Sequence, residues 1–165
     1  MSKLYNIKDC MEDLDEVIDI LYKQWGKYLR RGKSERAAEY KNAAVNNLEF
    51  PQLYVMKDGS EVIGTFTIKE MEFDASGKVP SVWYLVIKEE HRGKGYGREL
   101  LQFLSSVCKK YKKVYLLTEH NGLYEKIGFK FVNKMNHNGD VERLYLKDNS
   151  LYNSSTKTSE RDNAI

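Results

Sequence analysis

Apolar residues recur along the chain with two different periods, and the changes between them predict a mixed order of helices and strands. A short strand is predicted at 3–8, followed by a helix before which Asp9-Cys10-Met11-Glu12 has capping-box spacing. Gly32 ends this helical pattern, and Ser34 can cap a second helix that stops before Pro51. The expected buried stripes are Leu14, Val17, Ile18, Leu21, Tyr22 and Trp25 on the first helix and Ala37, Ala38, Lys41, Ala44, Val45 and Leu48 on the second.

The middle of the chain predicts strands. Residues 53–56 and 61–69 should pair as an antiparallel hairpin through Lys57-Asp58-Gly59-Ser60. Residues 74–78 are expected to form a polar turn. The continuous apolar run at 82–87 is typical of a strand in the centre of a sheet.

A third helix, beginning near Gly97, separates this central strand from another at 114–118, which predicts a right-handed parallel crossover. A short helix at 122–127 should end at Gly128 in the left-handed conformation. The buried face of the third helix is expected at Leu100, Leu101, Leu104, Val107, Cys108 and Tyr111.

Two closing strands, 129–135 and 142–147, flank a second hairpin turn at Asn138-Gly139-Asp140. With 165 residues, the chain has the length of one domain, and the order of elements predicts a single α/β domain of the α+β type over residues 1–147. From Asp148 the composition changes to Ser, Thr, Asn and charged residues, so residues 148–165 are expected to form a mobile polar tail.

Composition narrows the functional classes. The net charge of +3 is too mild for a dedicated nucleic-acid binder, and no apolar run approaches the length of a membrane span. Cys10 and Cys108 make no disulfide framework, and the lysine-rich chain without a signal peptide is expected in the reducing cytoplasm. His91, His120 and His137 share no metal-ligand spacing with these cysteines, so no metal site is predicted.

The candidate chemistry is concentrated between Ile87 and Leu104, where an apolar strand is followed by His91-Arg92-Gly93-Lys94-Gly95-Tyr96-Gly97 and an amphipathic helix. Three glycines let the backbone turn its N–H groups toward one point and let an anion approach closely. The helix adds unpaired N–H groups and the positive end of its dipole, with Arg92 and Lys94 beside them. This combination predicts a diphosphate-binding loop.

Spacing excludes the commonest loops of this kind. A dinucleotide fingerprint needs a third glycine where Arg98 stands, and a Walker A loop needs G-K-[ST] where the chain has Gly97-Arg98-Glu99. The kinase motifs H-R-D and D-F-G are absent from the sequence.

The spacing R-x-x-G-x-G, carried by Arg92, Gly95 and Gly97, resembles the acyl-CoA pyrophosphate loop of the GNAT superfamily of N-acetyltransferases. A second segment, Asn121-Gly122-Leu123-Tyr124-Glu125-Lys126-Ile127-Gly128-Phe129, is similar to the N-x-x-x-Y-E-K-x-G-F segment of the same family. The resemblance implies a mixed sheet, mostly antiparallel with a splayed parallel pair and helices on both faces. It also implies transfer of an acetyl group from acetyl-CoA to a primary amine by direct attack.

The resemblance implies roles for individual residues. The backbone of the central strand would pair with the pantetheine arm, with an N–H of Leu85 or Val86 meeting the thioester oxygen, and Asn121 would bind the arm from the other side. Tyr124 would protonate the leaving thiolate, a transfer that is uphill by about 1.5 pKa units, or about 2 kcal/mol, for an ordinary tyrosine. The implied coenzyme-binding set is Leu85, Val86, Ile87, Arg92, Gly93, Lys94, Gly95, Tyr96, Gly97 and Asn121.

The general base is not assigned by the resemblance, because Ser81 stands where some family members carry a glutamate. Strand alternation places Glu70 and Glu72 on the same face as Val62, Phe66 and Ile68, so both are candidate bases that would act directly or through water. His120 is a further candidate.

The acceptor stays open between a small-molecule amine and a protein amine. Tyr22, Trp25 and Tyr28 are candidates for the wall of its site, and acidic residues near the cleft would favour a cationic acceptor. The departure at Ser81 motivates an alternative, a non-catalytic acyl-CoA-binding or sensor module, against which the retained Tyr124 argues. A general nucleotide-phosphate binder is a third option. The oligomeric state is also open, with a homodimer among the alternatives.

Overall fold

The computed structural model of the chain describes residues 1–73, 75 and 77–150, which build one sheet with helices on both faces. No helix in these ranges is long and apolar enough to span a membrane. The α-helices are α1 (Leu14–Trp25), α2 (Lys33–Val45) and α3 (Tyr96–Cys108), and the strands are β1 (Ser2–Asn6), β2 (Gln52–Asp58), β3 (Glu61–Glu72), β4 (Lys78–Ile87), β5 (Lys113–Thr118), β6 (Lys130–His137) and β7 (Asp140–Asp148).

The strand order is β1-β2-β3-β4-β5-β7-β6, and every neighbouring pair is antiparallel except β4 and β5. These two parallel strands pair only at Ser81 with Tyr115 and at Val82 with Leu116. Beyond that point β4 continues to Ile87 and β5 to Thr118 without pairing with each other, so a gap opens between them. We call this gap the fork. The predicted fold class, a mixed sheet with one splayed parallel pair, is confirmed.

The sheet separates two apolar cores. On one face, Phe66, Ile68 and Val82 pack with Leu100 and Leu104 of α3. On the other face, strand residues pack against α1 and α2, and this second core includes Val17, Leu21, Tyr40, Leu53, Val55, Val62 and Val86.

Most of the predicted elements are confirmed. The hairpin between β2 and β3 is antiparallel, and α3 connects the parallel strands β4 and β5. Gly128 ends the short 3-10 helix Tyr124–Ile127 at a φ of +93°. The predicted stripes of α1 and α3 are buried in large part, with Tyr22 and Trp25 half-buried. Ile20 is buried as well although the predicted stripe did not include it, and the predicted Tyr111 lies beyond the end of α3. The expected turn at 74–78 includes Asp74 and Ser76, and the expected tail includes 151–165, all of which lie outside the described residues.

The predicted face of α2 is wrong. Its buried residues are Arg36, Tyr40 and Ala43, whereas Val45 is 73% and Leu48 42% exposed. A buried hydrogen bond explains the difference. The Tyr40 hydroxyl lies 2.8 Å from Oγ1 of Thr67 on β3, and this bond turns the Tyr40 face of the helix toward the sheet. The helix also begins at Lys33 after Gly32, so Ser34 lies inside its first turn and is not the cap.

The predicted start of α1 is wrong as well. Asp9 lies in a 3-10 turn, Ile7–Asp9, and a second turn, Met11–Asp13, precedes the first helical residue, Leu14. Just before α1, the carboxylate of Asp13 accepts a hydrogen bond from Nζ of Lys57 on β2 at 2.6 Å. Both side chains of this pair are only 12% exposed, so it fixes the start of α1 to the sheet.

The predicted common face of Val62 with Phe66 and Ile68 is also wrong. The pairing between β2 and β3 shifts at Met56 and Lys57, where β3 carries one extra residue, Ile63. Because such a bulge reverses the alternation of side chains, Val62 packs on the α1 side of the sheet while Phe66 and Ile68 pack on the α3 side.

Gly64 lets β3 approach the end of β4 closely. A Cβ atom at this position would lie 2.6 Å from the carbonyl oxygen of Val86 and 2.8 Å from Cδ1 of Ile87. Since the first of these atoms belongs to the backbone, the neighbouring strand would have to move.

We therefore expect Gly64→Ala to lower the free energy of unfolding by about 1–3 kcal/mol, as overpacked cores do. Gly32→Ala is the matched control, because a Cβ there meets nothing within 4 Å and the backbone φ is −71°. Chemical denaturation of both variants measures the effect. Equal stability of the two variants would contradict the close approach.

Candidate active site

The loop at 92–97, called the glycine loop below, lies between the end of β4 and the start of α3. Gly93 and Gly95 have φ angles of +76° and +89°, and Gly95 is the N-cap of α3. The N–H of Glu99 donates to the Gly95 carbonyl oxygen at 3.4 Å, so the amides that precede Glu99 have no acceptor within the helix. A Cβ added at Gly93, Gly95 or Gly97 would meet nothing within 4 Å. The loop therefore presents free N–H groups on an open surface, which fits an anionic diphosphate.

Arg92 connects the glycine loop to two other elements. Its Nε donates to the carbonyl oxygen of Ile87 at 2.9 Å, and its Nη2 donates to Oε1 of Gln24 on α1 at 2.9 Å. These bonds hold the guanidinium at the end of β4, and its remaining N–H groups are available to an anion. Lys94 is exposed beside it.

Contacts with the first hairpin fix the start of α3. The hydroxyl of Tyr96 donates to Oδ2 of Asp58 at 3.1 Å, and Nε2 of His91 lies 2.9 Å from Oε1 of Glu61. The Tyr96 side chain therefore connects the glycine loop to the first hairpin.

The edge of β4 that faces the fork can be read from its pairing with β3. Val86 pairs with Thr65, and the N–H of Lys88 donates to the carbonyl oxygen of Ile63 at 2.8 Å. The side chains of Leu85, Val86 and Ile87 alternate between the two cores, so regular alternation holds from Leu85 onward, and the N–H groups of Leu85 and Ile87 point away from β3 and toward the fork. Of the two predicted donors to a thioester oxygen, Leu85 is thus the one that faces the gap.

A β-bulge re-aims the strand at the mouth of the fork. Between the pairs formed by Val86 and Trp83, β4 has two residues where β3 has one. One of the two is Tyr84, whose φ of +55° is unusual for a bulky residue. Such a conformation costs about 1–3 kcal/mol and persists only where the surroundings impose it.

The surroundings of Tyr84 are a cluster of cations and aromatic rings on the α1 and α2 side of the sheet. The Tyr84 hydroxyl accepts from Nη1 of Arg36 at 3.5 Å and from Nζ of Lys69 at 3.4 Å. Its ring centroid is 5.6 Å from that of Trp25 and 6.0 Å from that of Trp83. We call these five residues the Tyr84 cluster. Of them, sequence reasoning singled out only Trp25.

Tyr124 lies on the opposite, α3 side of the sheet, in the short helix after β5. Its side chain is 6% exposed and packs edge to face against Phe129, with ring centroids 6.2 Å apart. Burial raises the pKa of Tyr124 to about 12, above the value of an ordinary tyrosine. The phenol is therefore protonated throughout the neutral range. Asn121, just before it, is exposed.

The predicted bases are not brought together with the glycine loop. Glu70 and Glu72 are exposed and lie opposite Pro80 and Lys78, at the start of β4, whereas the loop follows its end. His120 is exposed as well. Ser81 is fully buried, and its Oγ donates to the carbonyl oxygen of Lys69 at 2.8 Å and accepts from Nε1 of Trp83 at 2.7 Å.

A pair formed by a carboxylate and a histidine lies beside the Tyr84 cluster. Oε2 of Glu142 lies 3.0 Å from Nδ1 of His137, whose ring centroid is 5.5 Å from that of Trp83. Burial raises the pKa of Glu142 above its ordinary value, and the adjacent His137 opposes the shift only in part. Sequence reasoning missed this pair because the tip of the β6–β7 hairpin is remote in sequence from β4.

A cleft of about 410 Å³ lies between α1 and the end of β4. Its acidic residues are held in ion pairs: Glu16 and Glu90 with Lys88, Glu89 with Lys23, and Asp19 with Lys33. The cleft also borders Ile20, Gln24, Val86, Ile87 and Arg92.

The cysteines are buried and take no part in these groups. Burial raises the pKa of Cys108 to about 12, so its thiol is not a nucleophile at neutral pH. Among residues 1–73, 75 and 77–150, no group of three or more His, Cys, Asp or Glu side chains is arranged to hold a metal ion.

Comparison with known proteins adds an independent finding. The family model of the acetyltransferase (GNAT) family matches residues 14–129 of the chain. None of the curated proteins compared by sequence matches it.

Several solved structures share the fold. An N-acetyltransferase from Staphylococcus aureus Mu50 has a TM-score of 0.70 at 18% identity, covering 90% of this chain and 98% of its own. A putative acetyltransferase from Salmonella typhimurium, solved with its cofactor acetyl-CoA, has a TM-score of 0.67 at 15% identity, with coverages of 89% and 93%. A spermidine N-acetyltransferase chimera from Vibrio cholerae and hSSAT has a TM-score of 0.66 at 18% identity, with coverages of 92% and 97%.

Proposed function

The chain belongs to the acetyltransferase (GNAT) family, and from this premise we propose that it is an N-acetyltransferase that moves an acetyl group from acetyl-CoA to a primary amine by direct attack. One observation carries the proposal: an open glycine loop and an unpaired strand edge meet at the end of the same strand, β4. A diphosphate joined to an amide-bearing arm matches both at once. Acetyl-CoA supplies the activated thioester carbonyl when bound.

The residues that hold the donor follow from this match. Amides at 93–97 bind the pyrophosphate, with Arg92 and Lys94 adding positive charge. Leu85 and Ile87 offer backbone groups to the pantetheine arm, as an added strand would require. The Leu85 N–H points into the fork and is the donor that stabilises negative charge on the thioester oxygen. Asn121 binds the arm from the β5 side.

Tyr124 is the proposed proton donor to the leaving thiolate. With a thiol pKa near the cysteine value of about 8.5, transfer from a phenol of pKa about 12 is uphill by about 3.5 pKa units, or about 5 kcal/mol. This exceeds the value for an ordinary tyrosine, so Tyr124 gives up its proton only as the carbon–sulfur bond breaks. Until then, its phenol keeps its proton and donates a hydrogen bond to the sulfur.

Three carboxylates are candidates for the base that accepts the proton of the amine. Glu70 and Glu72 were expected from the sequence, and Glu142 joins them because its partner His137 contacts Trp83 at the mouth of the fork. Its partial burial favours Glu142, since a carboxyl group with a raised pKa is a stronger base than an exposed one.

The acceptor is a small-molecule amine or a protein amine. The alternative function is a non-catalytic acyl-CoA sensor of the same fold, which would bind the coenzyme and release no thiol. Ser81, which stands where some family members carry a glutamate, favours the sensor, while Tyr124 favours the enzyme.

The first test is coenzyme binding by Gly97→Ala. The methyl group would occupy the surface on which the pyrophosphate must approach, so the Kd for CoA in calorimetry should rise at least about tenfold. The stability of this variant should be unchanged or slightly raised, because Gly97 has a helical backbone and open space around it.

Gly32→Ala is the control and should bind CoA normally. Unchanged affinity of Gly97→Ala would remove the glycine loop from the site. Thiol release from acetyl-CoA across a panel of amines separates the enzyme from the sensor, because a sensor binds CoA and releases none.

For Tyr124→Phe, kcat should fall by about a hundredfold while the Kd for CoA is unchanged, since the phenyl ring keeps the packing and loses the acid. Tyr111→Phe is a matched control, because burial also raises the pKa of that tyrosine to about 12. Steady-state kinetics and calorimetry measure both variants. An unchanged kcat in Tyr124→Phe would rule out the acid role.

The base is tested by the pH dependence of kcat/KM in Glu70→Gln, Glu72→Gln and Glu142→Gln. A base acts when deprotonated, so activity is lost as the pH falls through its pKa, and a raised pKa moves this limb to higher pH. Glu142→Gln should remove the limb and lower the plateau by about a hundredfold or more, whereas the other two variants should keep it. Ionisation of the acceptor itself affects all variants alike. Loss of the limb in Glu70→Gln or Glu72→Gln alone would reverse the assignment.

A further inference from the structure

No acidic side chain of the described residues forms an ion pair with the cations of the Tyr84 cluster, and the nearby Glu142 is paired with His137. Arg36 points from the buried face of α2 toward Tyr84 and is only 7% exposed. Its Nε has no hydrogen-bond partner within the described part of the chain. The groups that surround the guanidinium are three tyrosine hydroxyls, those of Tyr22, Tyr40 and Tyr84.

Lys69 supplies a second cation to the same place. Its Nζ lies 3.4 Å from the Tyr84 hydroxyl, 4.4 Å from the centroid of the Trp83 ring and 5.1 Å from that of Tyr84. No carboxylate in residues 1–73, 75 and 77–150 forms an ion pair with Lys69 or with Arg36. Two cations thus converge on one tyrosine hydroxyl from opposite elements, α2 and β3.

Contacts with aromatic rings do not compensate for the cost of removing these two cations from water. A cation over an aromatic face gains about 0.5–2 kcal/mol. Removal of a charged side chain from water costs several kcal/mol, and an opposite charge with hydrogen bonds is what repays it. The part of the desolvation cost that the aromatic contacts do not repay is recovered when an anion binds to both side chains.

The acidic residues near the cleft point to the same conclusion. Sequence reasoning connected them with a cationic acceptor, but Glu16, Glu89, Glu90 and Asp19 are each held by a lysine at 2.8–3.2 Å. These four carboxylates share three lysines, because Glu16 and Glu90 both pair with Lys88. By contrast, Arg36 and Lys69 near the fork have no carboxylate partner in the described part of the chain.

We propose that the acceptor is an amine that also carries a carboxylate, an amino acid or a close analogue, and that Arg36 and Lys69 bind this carboxylate. The inference rests on the proposed function, because it identifies the substrate class of the same reaction. Tyr84 is adjacent to Leu85, whose N–H faces the fork, so a carboxylate on Arg36 brings the amine of a small molecule toward the thioester. The indole rings of Trp25 and Trp83 exclude water and strengthen the charge pair.

The geometry suits a carboxylate in particular. The guanidinium presents an unpaired Nε beside an Nη group, the edge that binds two carboxylate oxygens in parallel. A polyamine would instead bring a further positive charge against Arg36 and Lys69, which is unfavourable in a partly buried site.

The test compares each amino acid with its own amide, which keeps the shape and removes the charge. Glycine, β-alanine and 4-aminobutyrate, their amides, aminomethylphosphonate and spermidine are assayed for thiol release from acetyl-CoA at matched concentrations of neutral amine. The kcat/KM of at least one amino acid should exceed that of its amide by about tenfold to a hundredfold, the range for a hydrogen-bonded charge. Spermidine and the phosphonate should be poorer acceptors than that amino acid.

Variants then assign the effect to the two cations. Arg36→Met and, separately, Lys69→Gln should reduce the preference for the amino acid over its amide to near unity, by raising KM for the amino acid and leaving the amide unaffected. Lys41→Met, an exposed site on the same helix as Arg36, should keep the full preference. Calorimetry with CoA verifies that each variant is folded, and Lys69→Gln decides the question if Arg36→Met is not.

The outcomes separate the two proposals. Thiol release with amides or spermidine preferred over amino acids overturns the carboxylate site and leaves the acetyltransferase proposal standing. Preference for the phosphonate overturns the choice of carboxylate. A preference for the amino acid that survives both variants overturns the role of Arg36 and Lys69. Binding of CoA without thiol release from any acceptor contradicts the proposed function itself.

Discussion

The early separation of β4 from β5 is the constraint on which the rest of the site depends. In most sheets, the backbone groups of a central strand are paired on both edges, because an unpaired buried N–H or C=O is costly. Here the pairing stops after Val82, in the middle of the sheet, and the edge of β4 beyond it is left to bind something else. The fork is thus an internal edge, shielded by its neighbours from the unwanted strand pairing that threatens outer edges.

Several local contacts hold the end of β4 in place. Gly64 allows β3 to approach Val86 closely, and the bulge at Tyr84 twists the strand after its last pair with β5. Arg92 then joins Ile87 to α1 through two hydrogen bonds. Because these contacts come from three different elements, the glycine loop is anchored by its surroundings and can leave its own amides unpaired.

The two faces of the sheet differ in a way that divides the chemistry. On the α3 side, Tyr124 is surrounded by apolar groups, and burial keeps its phenol protonated. On the α1 and α2 side, Arg36 lies against the Tyr84 ring and Lys69 against the Trp83 ring, and His137, the partner of Glu142, also contacts Trp83. Such groups reduce stability when they lack partners, which is the usual cost of a binding site. The proposed proton donor and the proposed acceptor-binding groups therefore lie on opposite faces of the sheet, with β4 between them.

The sequence by itself determined the elements, the parallel crossover and the glycine loop, because these depend on local periodicity, on glycine spacing and on motifs within short segments. It also indicated the family through Arg92 to Gly97 and Asn121 to Phe129. It did not determine the face of α2, the bulges at Ile63 and Tyr84, or the convergence of Arg36, Lys69 and His137 on β4. Only the tertiary structure decided these, because a buried hydrogen bond such as that of Tyr40 with Thr67 outweighs the weak apolar pattern of a helix, and because residues remote in sequence meet only when the sheet has formed.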